Sequence, residues 1–276
     1  MKVADILEID GCRLVEPSFA ELTRDTAPVF EAAPDEARLL VDEGEEPIAL
    51  ALHGDGSWQV ASFLFREPTI AAIECFEAVG GDIYQESRDT WLAAVREYYS
   101  LDILKTITPA LEDLRPDREE KIRDLLDEVW GNRAGALCLD CCCGSGVGTA
   151  ALRANGVQAL AYDNDSSLLA LGLSRGRLVP EDTMYIDARE AFRYIAPVPL
   201  GVAFMAGEIY SYNADLWRSI IAELLALTDE ALITVGTEAE ATRVEGWCAG
   251  EGWDTRVFEN PRDPIYDRWC CVARRG

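Results

Sequence analysis

The chain has 276 residues, of which 50 are Asp or Glu and 25 are Lys or Arg, and its formal net charge is -25 at pH 7. This length is sufficient for one full-size domain with a sizeable core plus an additional domain. A surface this acidic repels phosphate backbones, so a nucleic-acid substrate would need a local basic patch, and none is evident in the sequence.

The first 85 residues have the composition of a small antiparallel sheet. Strands are predicted at residues 12–19, 37–42, 48–52 and 58–65, with turns at EGEEP and HGDGS. The chain's one histidine, His53, is predicted in the second of these turns, a position that does not indicate a catalytic imidazole. We therefore predict a separate N-terminal domain over residues 1–85.

A helical connector is predicted over residues 86–131. An apolar stripe indicates a helix at 86–106, and a second helix is predicted at 118–130, after two prolines. Tyr98 and Tyr99 lie on the first stripe, where the simplest interpretation is a packed ring with its hydroxyl at the surface.

The segment 136–149, ALCLDCCCGSGVGT, runs from an apolar strand into an acidic residue and then into a small-residue turn that opens a helix. Asp140 lies at the carboxyl end of the strand, and Gly144 and Gly146 allow a sharp turn and a close approach of the backbone to a ligand. The N-terminus of the next helix presents unpaired N–H groups. This pattern is typical of a loop that binds a nucleotide cofactor, although Asp140 could also cap the helix.

Acidic residues also follow the next two strands. Asp163 ends the second strand, where a carboxylate can accept hydrogen bonds from ribose hydroxyls, and Asp187 ends the third, followed by small Ala188. Asp163 and Asp165 could instead form the N-cap pair of the next helix. We predict that one of the two caps this helix and that Asp163 holds the ribose.

The remainder of the chain alternates strands and helices. Strands are predicted at residues 157–162, 183–186, 198–206 and 231–235, and helices at 149–155, 166–175, 215–227 and 238–249. The end differs, because strand-like residues 254–259 and 269–273 are joined by the turn-rich segment NPRDP and predict a hairpin.

The spacing Asp140-x3-Gly144-x-Gly146, the acids after three successive strands and the closing hairpin resemble the class I S-adenosylmethionine-dependent methyltransferases. The resemblance extends from residue 136 to the C-terminus. It implies an α/β fold class, with a seven-stranded, mostly parallel, doubly wound sheet whose last strand is antiparallel, over residues 132–276, plus a small N-terminal α+β auxiliary domain. NAD enzymes are a poorer match, because they require G-x-G-x-x-G.

The same resemblance implies that the cofactor is S-adenosylmethionine and assigns residues to it. The first acidic loop lies under the methionine part, the second acid binds the ribose and the third contacts the adenine, so these roles fall to Asp140, Asp163 and Asp187. The other residues expected to bind cofactor are Cys141, Cys142, Gly144, Gly146, Asn164 and Ala188. N-terminal elements of relatives fold over the cofactor, so residues 1–85 would be a substrate or lid domain, and Tyr98 or Tyr99 would touch the methionine end or the substrate.

Two features depart from the family pattern. Cys142 stands where the family's first glycine is expected, and DCCCGSG is closest to subtypes with D-P-x-C-G-S-G. The stretch YDNDSS resembles the G-x-D-x-D of RNA-modifying members, but those carry N-P-P-Y after the fourth strand, where this chain has AGEIYSYN. Methylation of a nucleobase amine is therefore disfavoured.

Glu208 and Tyr210 are the candidate catalytic residues. They follow the fourth strand at the edge where open α/β sheets bind ligands, and Glu208 could position or deprotonate an acceptor. The alternative is that these residues form a capped loop leading into the next helix. The predicted reaction is methyl transfer by direct displacement to a small-molecule or protein acceptor. The alternatives are a non-catalytic binding module that acts with a partner chain, an RNA methyltransferase and an NAD-type oxidoreductase.

The nine cysteines are interpreted as reduced packing residues. The first residues are charged and no apolar run is long enough for a signal core or a membrane span, so we expect a cytoplasmic protein with no membrane partner. Cys138, Cys141, Cys142 and Cys143 are too compact for a tetrahedral metal site, because neighbours in an extended segment point to opposite faces. No metal is predicted.

Overall fold

The computed structural model describes residues 2–24, 34–112 and 115–276. The chain divides into two compact units, Met1–Asp102 and Ile103–Gly276. The division falls inside helix Arg88–Thr106, within the segment predicted as a connector. None of the helices in the described parts of the chain combines the length and the apolarity needed to span a bilayer.

The described residues of the N-terminal unit form a five-stranded sheet with three helices. The strands are β1 (Arg13–Leu14), β2 (Glu36–Val41), β3 (Pro47–Gly54), β4 (Ser57–Ser62) and β5 (Asp82–Gln85), and the helices are α1 (Val3–Ile6), α2 (Ile70–Val79) and α3 (Arg88–Thr106). Strands β2, β3 and β4 form the predicted antiparallel sheet, while β1 and β5 pair in parallel at its two edges. Residues 48–52 of β3 are almost completely buried, as expected for a central strand.

Two sequence-based predictions for this unit are wrong, and two of its elements were not predicted. The strand predicted at 12–19 is reduced to β1, and a short 3-10 helix, Phe19–Thr23, follows it. Neither α2 nor β5 was predicted, although Thr69 accepts a hydrogen bond as N-cap of α2 and left-handed Gly80 ends it. His53 lies in β3 rather than in a turn, and its Nδ1 is 2.6 Å from an Asp35 carboxylate oxygen.

The two tyrosines of α3 use their hydroxyls inside the N-terminal unit. Tyr99 is buried and its hydroxyl donates to the carbonyl of Glu16 at 2.9 Å, so that hydroxyl is not at the surface as the simplest interpretation had it. The hydroxyl of Tyr98 accepts a hydrogen bond from the backbone N–H of Leu14 at 3.2 Å.

The C-terminal unit is a seven-stranded sheet over residues that are described without a gap from 115 onward. Its strands are β6 (Leu137–Cys141), β7 (Gln158–Asp163), β8 (Thr183–Tyr185), β9 (Val198–Ala203), β10 (Thr228–Val235), β11 (Trp253–Glu259) and β12 (Trp269–Arg275). Its helices are α4 (Arg118–Trp130), α5 (Val147–Ala154), α6 (Ser166–Ser174), α7 (Ala214–Ala226) and α8 (Glu238–Gly250). The strand order is β11-β12-β10-β9-β6-β7-β8.

This sheet confirms the predicted fold class. Strands β6 to β10 are mutually parallel, and β12 runs antiparallel between β10 and β11. Helices cover both faces, because apolar residues of α4 and α5 pack against Leu200 and Val202 on one face, whereas Leu224 of α7 packs against Gly201 on the other. The predicted hairpin at the C-terminus is β11 and β12.

The connectivity of the sheet creates a crevice at one edge. From β6 the chain proceeds outward through β7 and β8, then returns to the other side of β6 and continues through β9 and β10. The strand order therefore reverses between β6 and β9, and open α/β sheets bind ligands at such a point, outside the carboxyl ends of the strands.

Candidate functional site

The loop after β6 contains three residues in the left-handed backbone region. These are Cys142 (φ 55°), Gly144 (φ 54°) and Gly146 (φ 74°). A side chain at Gly146 would meet Leu178 at 2.6 Å, so both the backbone angle and the packing require glycine there. Cys142, at the position where the resemblance implies a glycine, adopts a left-handed angle at a cost of about 1 kcal/mol for a residue that is not glycine.

Asp140 ends β6 almost completely buried, with 1% of its surface exposed. The hydroxyl of Thr149, in the first turn of α5, donates to Asp140 Oδ2 at 2.6 Å. Burial raises the pKa of Asp140 to about 7, while the Thr149 hydrogen bond and the positive charge of Arg118 act to lower it. Asp140 is therefore close to its titration midpoint at neutral pH, and a cation in the crevice would favour its ionised form.

Asp163, the last residue of β7, forms hydrogen bonds with the glycine loop and with the residues that follow it in the chain. Its Oδ2 accepts the N–H of Gly144 at 2.8 Å, and its Oδ1 accepts the N–H of Asp165 at 2.8 Å. Burial raises the pKa of Asp163, and these backbone hydrogen bonds oppose that rise. Each carboxylate oxygen can accept a further hydrogen bond, so both remain available to a ligand hydroxyl.

Asp165 is the N-cap of α6, because its carboxylate accepts the N–H groups of Ser167 and Leu168. Asp187, after β8, accepts the N–H of Arg189 at 2.9 Å and pairs with its guanidinium. The hydrogen bond from the Arg189 side chain lowers the pKa of Asp187, which therefore stays ionised at neutral pH.

Seven of the nine predicted cofactor residues line two adjoining cavities at the carboxyl ends of the strands. One, here named the central cleft, has a volume of about 410 Å³ and is lined by Asp140, Cys142, Gly144 and Asp163 among others. The other, the rim cleft, has about 400 Å³ and shares Cys142 and Asp163 with the first. The rim cleft is also lined by Asn164, Asp187 and Ala188. The three carboxylates thus lie along one edge of the sheet and line two connected cavities.

Two of the predicted cofactor residues line neither cleft. Cys141 is buried at the end of β6, and Gly146 packs against Leu178 behind the loop. Their contribution is to the shape of the loop, because Gly146 turns the chain into α5 and Cys141 fills the core beneath it.

The central cleft has features that fit an adenosyl amino acid. A Cβ built on Gly144 would meet only Leu168, at 3.9 Å, so the glycine leaves the backbone open toward the cavity. Carboxylates suit ribose hydroxyls and a cationic centre, and the start of α5 supplies N–H groups. Apolar Leu168 and Trp217 line both clefts and can cover an aromatic ring.

Several lining residues were missed by sequence reasoning. Phe204 follows β9 and packs against Gly148, where an added Cβ would also lie 3.2 Å from Asp140 Oδ2. The sequence pattern that could have predicted this close packing is the glycine at every second position, 144, 146 and 148. Arg118 also lines the central cleft, from the start of α4, and no sequence signal connected it with the glycine loop.

The two candidate catalytic residues line a third cavity, here named the lateral pocket. It has a volume of about 460 Å³ and adjoins the central cleft through Met205 and Gly207, which line both. The hydroxyl of Tyr210 donates to Glu208 Oε2 at 2.5 Å, and this carboxylate raises the pKa of Tyr210. The ring of Tyr210 stacks on exposed Tyr212, with ring centroids 5.5 Å apart.

Three of the clustered cysteines, Cys138, Cys141 and Cys143, are buried in the described structure, and Cys142 lines both clefts. Cys138 and Cys143 are buried, and burial raises the pKa of both thiols. The sulfurs of Cys141 and Cys142 are 3.9 Å apart. No group of three or more His, Cys, Asp or Glu side chains is arranged to hold a metal ion within the described ranges.

No protein-family model and no curated protein matches the chain. Among solved structures, it is similar to a magnesium protoporphyrin IX methyltransferase from Synechocystis PCC 6803 with bound S-adenosylmethionine, at 14% identity and a TM-score of 0.45, covering 68% of this chain and 97% of that one. It is also similar to a precorrin-6y C5,15-methyltransferase from Geobacter metallireducens GS-15, at 11% identity and a TM-score of 0.46, covering 62% and 95%. A TehB-like methyltransferase from Corynebacterium glutamicum matches at 19% identity and a TM-score of 0.43, covering 56% and 88%.

These similarities are distant, and the strands of the chain itself identify the fold. Five parallel strands, an antiparallel last strand and a glycine loop after the first strand of the C-terminal unit are the features that the sequence resemblance implied. The C-terminal unit therefore has the fold of the class I S-adenosylmethionine-dependent methyltransferases.

Proposed function

We propose that the C-terminal unit binds S-adenosylmethionine and transfers its methyl group to an acceptor held in the lateral pocket. The observation that carries this proposal is the placement of Asp140, Asp163 and Asp187 along one edge of the sheet, around two joined clefts that the glycine loop borders. Structural neighbours whose names describe them as methyltransferases, one with bound S-adenosylmethionine, agree with it.

The residues divide naturally between the parts of the cofactor. Asp163 has free acceptor capacity for ribose hydroxyls, and Asp187 borders the rim cleft, where an adenine would lie near Asn164 and Ala188. Asp140, deep in the central cleft, supplies negative charge close to the glycine loop. When bound, S-adenosylmethionine would supply an electrophilic methyl group to a nucleophile of the acceptor and would leave as S-adenosylhomocysteine.

The chain's own contribution to the reaction is alignment and proton transfer. Met205 lines both the central cleft and the lateral pocket, and Phe204 lines the central cleft, so their apolar side chains would limit the access of water to the path of transfer. Glu208 Oε1 has no hydrogen-bond partner among the described residues, so it can accept a proton from the acceptor while Oε2 holds Tyr210.

A small molecule or a protein side chain is the better-supported acceptor. The chain carries a net charge of -25, and the lateral pocket is lined by two glutamates, Glu208 and Glu240, and one arginine, Arg243. Nucleic-acid binding depends on positive charge against phosphates, and this pocket offers a net negative lining.

Calorimetric titration with S-adenosylhomocysteine, and with NAD as the competing cofactor class, tests cofactor binding. We expect S-adenosylhomocysteine to bind and NAD not to bind. Asp163→Asn should weaken binding about tenfold, because a neutral amide accepts ribose hydrogen bonds less strongly than a carboxylate. Asp229→Asn is the control for the loss of one acidic charge, since Asp229 pairs with Arg275 and lines neither cleft, and it should bind like the wild type. Binding of NAD alone would overturn the proposal.

Catalysis is tested by incubating the protein with methyl-labelled S-adenosylmethionine and cell extract separated into small-molecule, protein and RNA fractions. We expect label in the small-molecule or protein fraction. Cofactor binding without label in any fraction would instead support a non-catalytic binding module. Label in RNA would refute the acceptor class proposed here.

A further inference from the structure

We propose that Arg118 binds the carboxylate of the amino-acid part of the cofactor and so makes the cleft selective for adenosyl ligands that carry an α-amino acid. The inference rests on the proposed function and deepens it. It assigns a recognition role to a residue outside the glycine loop and the three strand-end acids.

Arg118 is the one cationic side chain among the described residues that line the central cleft. The other ionisable groups there, apart from thiols, are the acids Glu112, Asp140 and Asp163. The amino-acid part of the cofactor carries one carboxylate, and the three acids of this cleft would repel it. Its natural partner in the cleft is therefore the guanidinium of Arg118.

The guanidinium of Arg118 is held in place from one side. Its Nε donates to Asp267 Oδ2 at 3.0 Å and its Nη2 donates to Asp267 Oδ1 at 3.3 Å. The ring of Tyr266 lies 5.1 Å from the guanidinium carbon. A planar group fixed in this way is pre-organised, so little side-chain entropy is lost when it binds a ligand.

The remaining nitrogen, Nη1, is free to bind. Its N–H groups have no hydrogen-bond acceptor among the described residues. Nη1 is also not one of the completely buried polar atoms that lack a partner, so it is accessible. Because Arg118 has only 7% of its surface exposed and lines the cleft, the accessible part of its side chain is available to a ligand there. Nη1 carries two N–H donors, which suits a carboxylate.

The surroundings of Arg118 indicate more than a structural ion pair. A buried arginine and aspartate give little net stability relative to well-packed apolar residues, so stability alone does not explain a cation at the cleft. The charge of Arg118 also acts on Asp140, which faces the same cavity. An amino-acid zwitterion would present its ammonium group to Asp140 and its carboxylate to Arg118, so the charges of ligand and cleft are complementary.

The test compares two ligands that differ only in the amino-acid part. S-adenosylhomocysteine carries it, and 5′-methylthioadenosine lacks it. We expect Arg118→Gln to weaken binding of S-adenosylhomocysteine by about 10- to 100-fold, the usual effect of losing a hydrogen bond to a charged group, and to change binding of methylthioadenosine less than about twofold. Arg133→Gln, which removes the ion pair to Glu230 away from both clefts, is the control for lost positive charge and should change neither affinity.

The outcomes separate this inference from the proposed function. If the wild type binds neither ligand, the proposed function fails. If the wild type binds S-adenosylhomocysteine and Arg118→Gln weakens both ligands equally, or neither, then Arg118 has only a structural role and the inference is wrong. If Arg118→Gln does not fold, Arg118→Lys keeps the charge but loses the planar fork, and the preference for S-adenosylhomocysteine over methylthioadenosine should fall several-fold. An unchanged preference would overturn the inference.

Discussion

Replacing Asp140 by asparagine should stabilise the ligand-free protein at alkaline pH. Burial raises the pKa of Asp140 from 3.8 to about 7. Between these two pH values, Asp140 is therefore protonated in the folded state and ionised in the unfolded state. Stability therefore falls as the pH rises from about 4 to about 7 and then levels off. With about 1.4 kcal/mol for each tenfold change in acidity, the total cost of the buried charge is about 4 kcal/mol.

The difference between Asp140→Asn and the wild type isolates this cost, because all other titrating groups are common to both. The asparagine is uncharged, so only the wild type must ionise a buried group as the pH rises. Between about pH 5.5 and about pH 8, the advantage of Asp140→Asn in unfolding free energy should grow by about 2 kcal/mol. The Thr149 hydroxyl can keep a hydrogen bond with the amide.

The assay is urea unfolding followed by circular dichroism, without ligand, at both pH values. Asp187→Asn is the control, because its partner Arg189 lowers the pKa of Asp187 and keeps it ionised throughout this range. Its difference from the wild type should therefore not change with pH. An Asp140→Asn advantage that stays constant, or that shrinks as the pH rises, would refute the reasoning about the buried carboxylate.

Three further substitutions have expected outcomes. Cys142→Gly should raise the unfolding free energy by about 1 kcal/mol, because glycine adopts a φ of 55° without strain; a loss of stability in urea unfolding would contradict this. Gly148→Ala should lower it by about 1–3 kcal/mol and weaken S-adenosylhomocysteine binding, because the new methyl group displaces Phe204 toward the cleft; unchanged calorimetric affinity would argue against this. Glu208→Gln should lower kcat about 100-fold once an acceptor is known, while S-adenosylhomocysteine affinity stays within twofold; equal kcat would remove Glu208 from the reaction.

The sequence was sufficient for the elements of the C-terminal unit because their signals are local. Helix α4 has the predicted bounds, and each strand from β6 to β12 falls at a predicted apolar run, within a few residues at its ends. Buried parallel strands are apolar along their whole length, and their ends are marked by acids or glycines. The capping role of Asp165 was equally local, since a side chain two or three residues away supplies the cap.

The N-terminal unit was less predictable because its edge elements depend on distant partners. Strand β1 is only two residues long and exists by pairing with β4, and β5 pairs with β2 across more than 40 residues of chain. Such pairings are selected by tertiary packing rather than by intrinsic preference. His53 was misplaced for the same reason. The turn-forming residues that follow it predicted a turn, whereas pairing with neighbouring strands extends β3 through His53 to Gly54.

For the candidate site, the sequence by itself determined that three carboxylates share one edge of the sheet, because parallel strands place their carboxyl ends together and each acid follows such a strand. Only the tertiary structure decided what faces them. Arg118 begins a helix that precedes the first strand of the sheet, and it reaches the cleft by pairing with Asp267, which is 149 residues away. No periodicity or motif encodes a contact of that separation, since it arises from how the helix and the C-terminal hairpin loop pack.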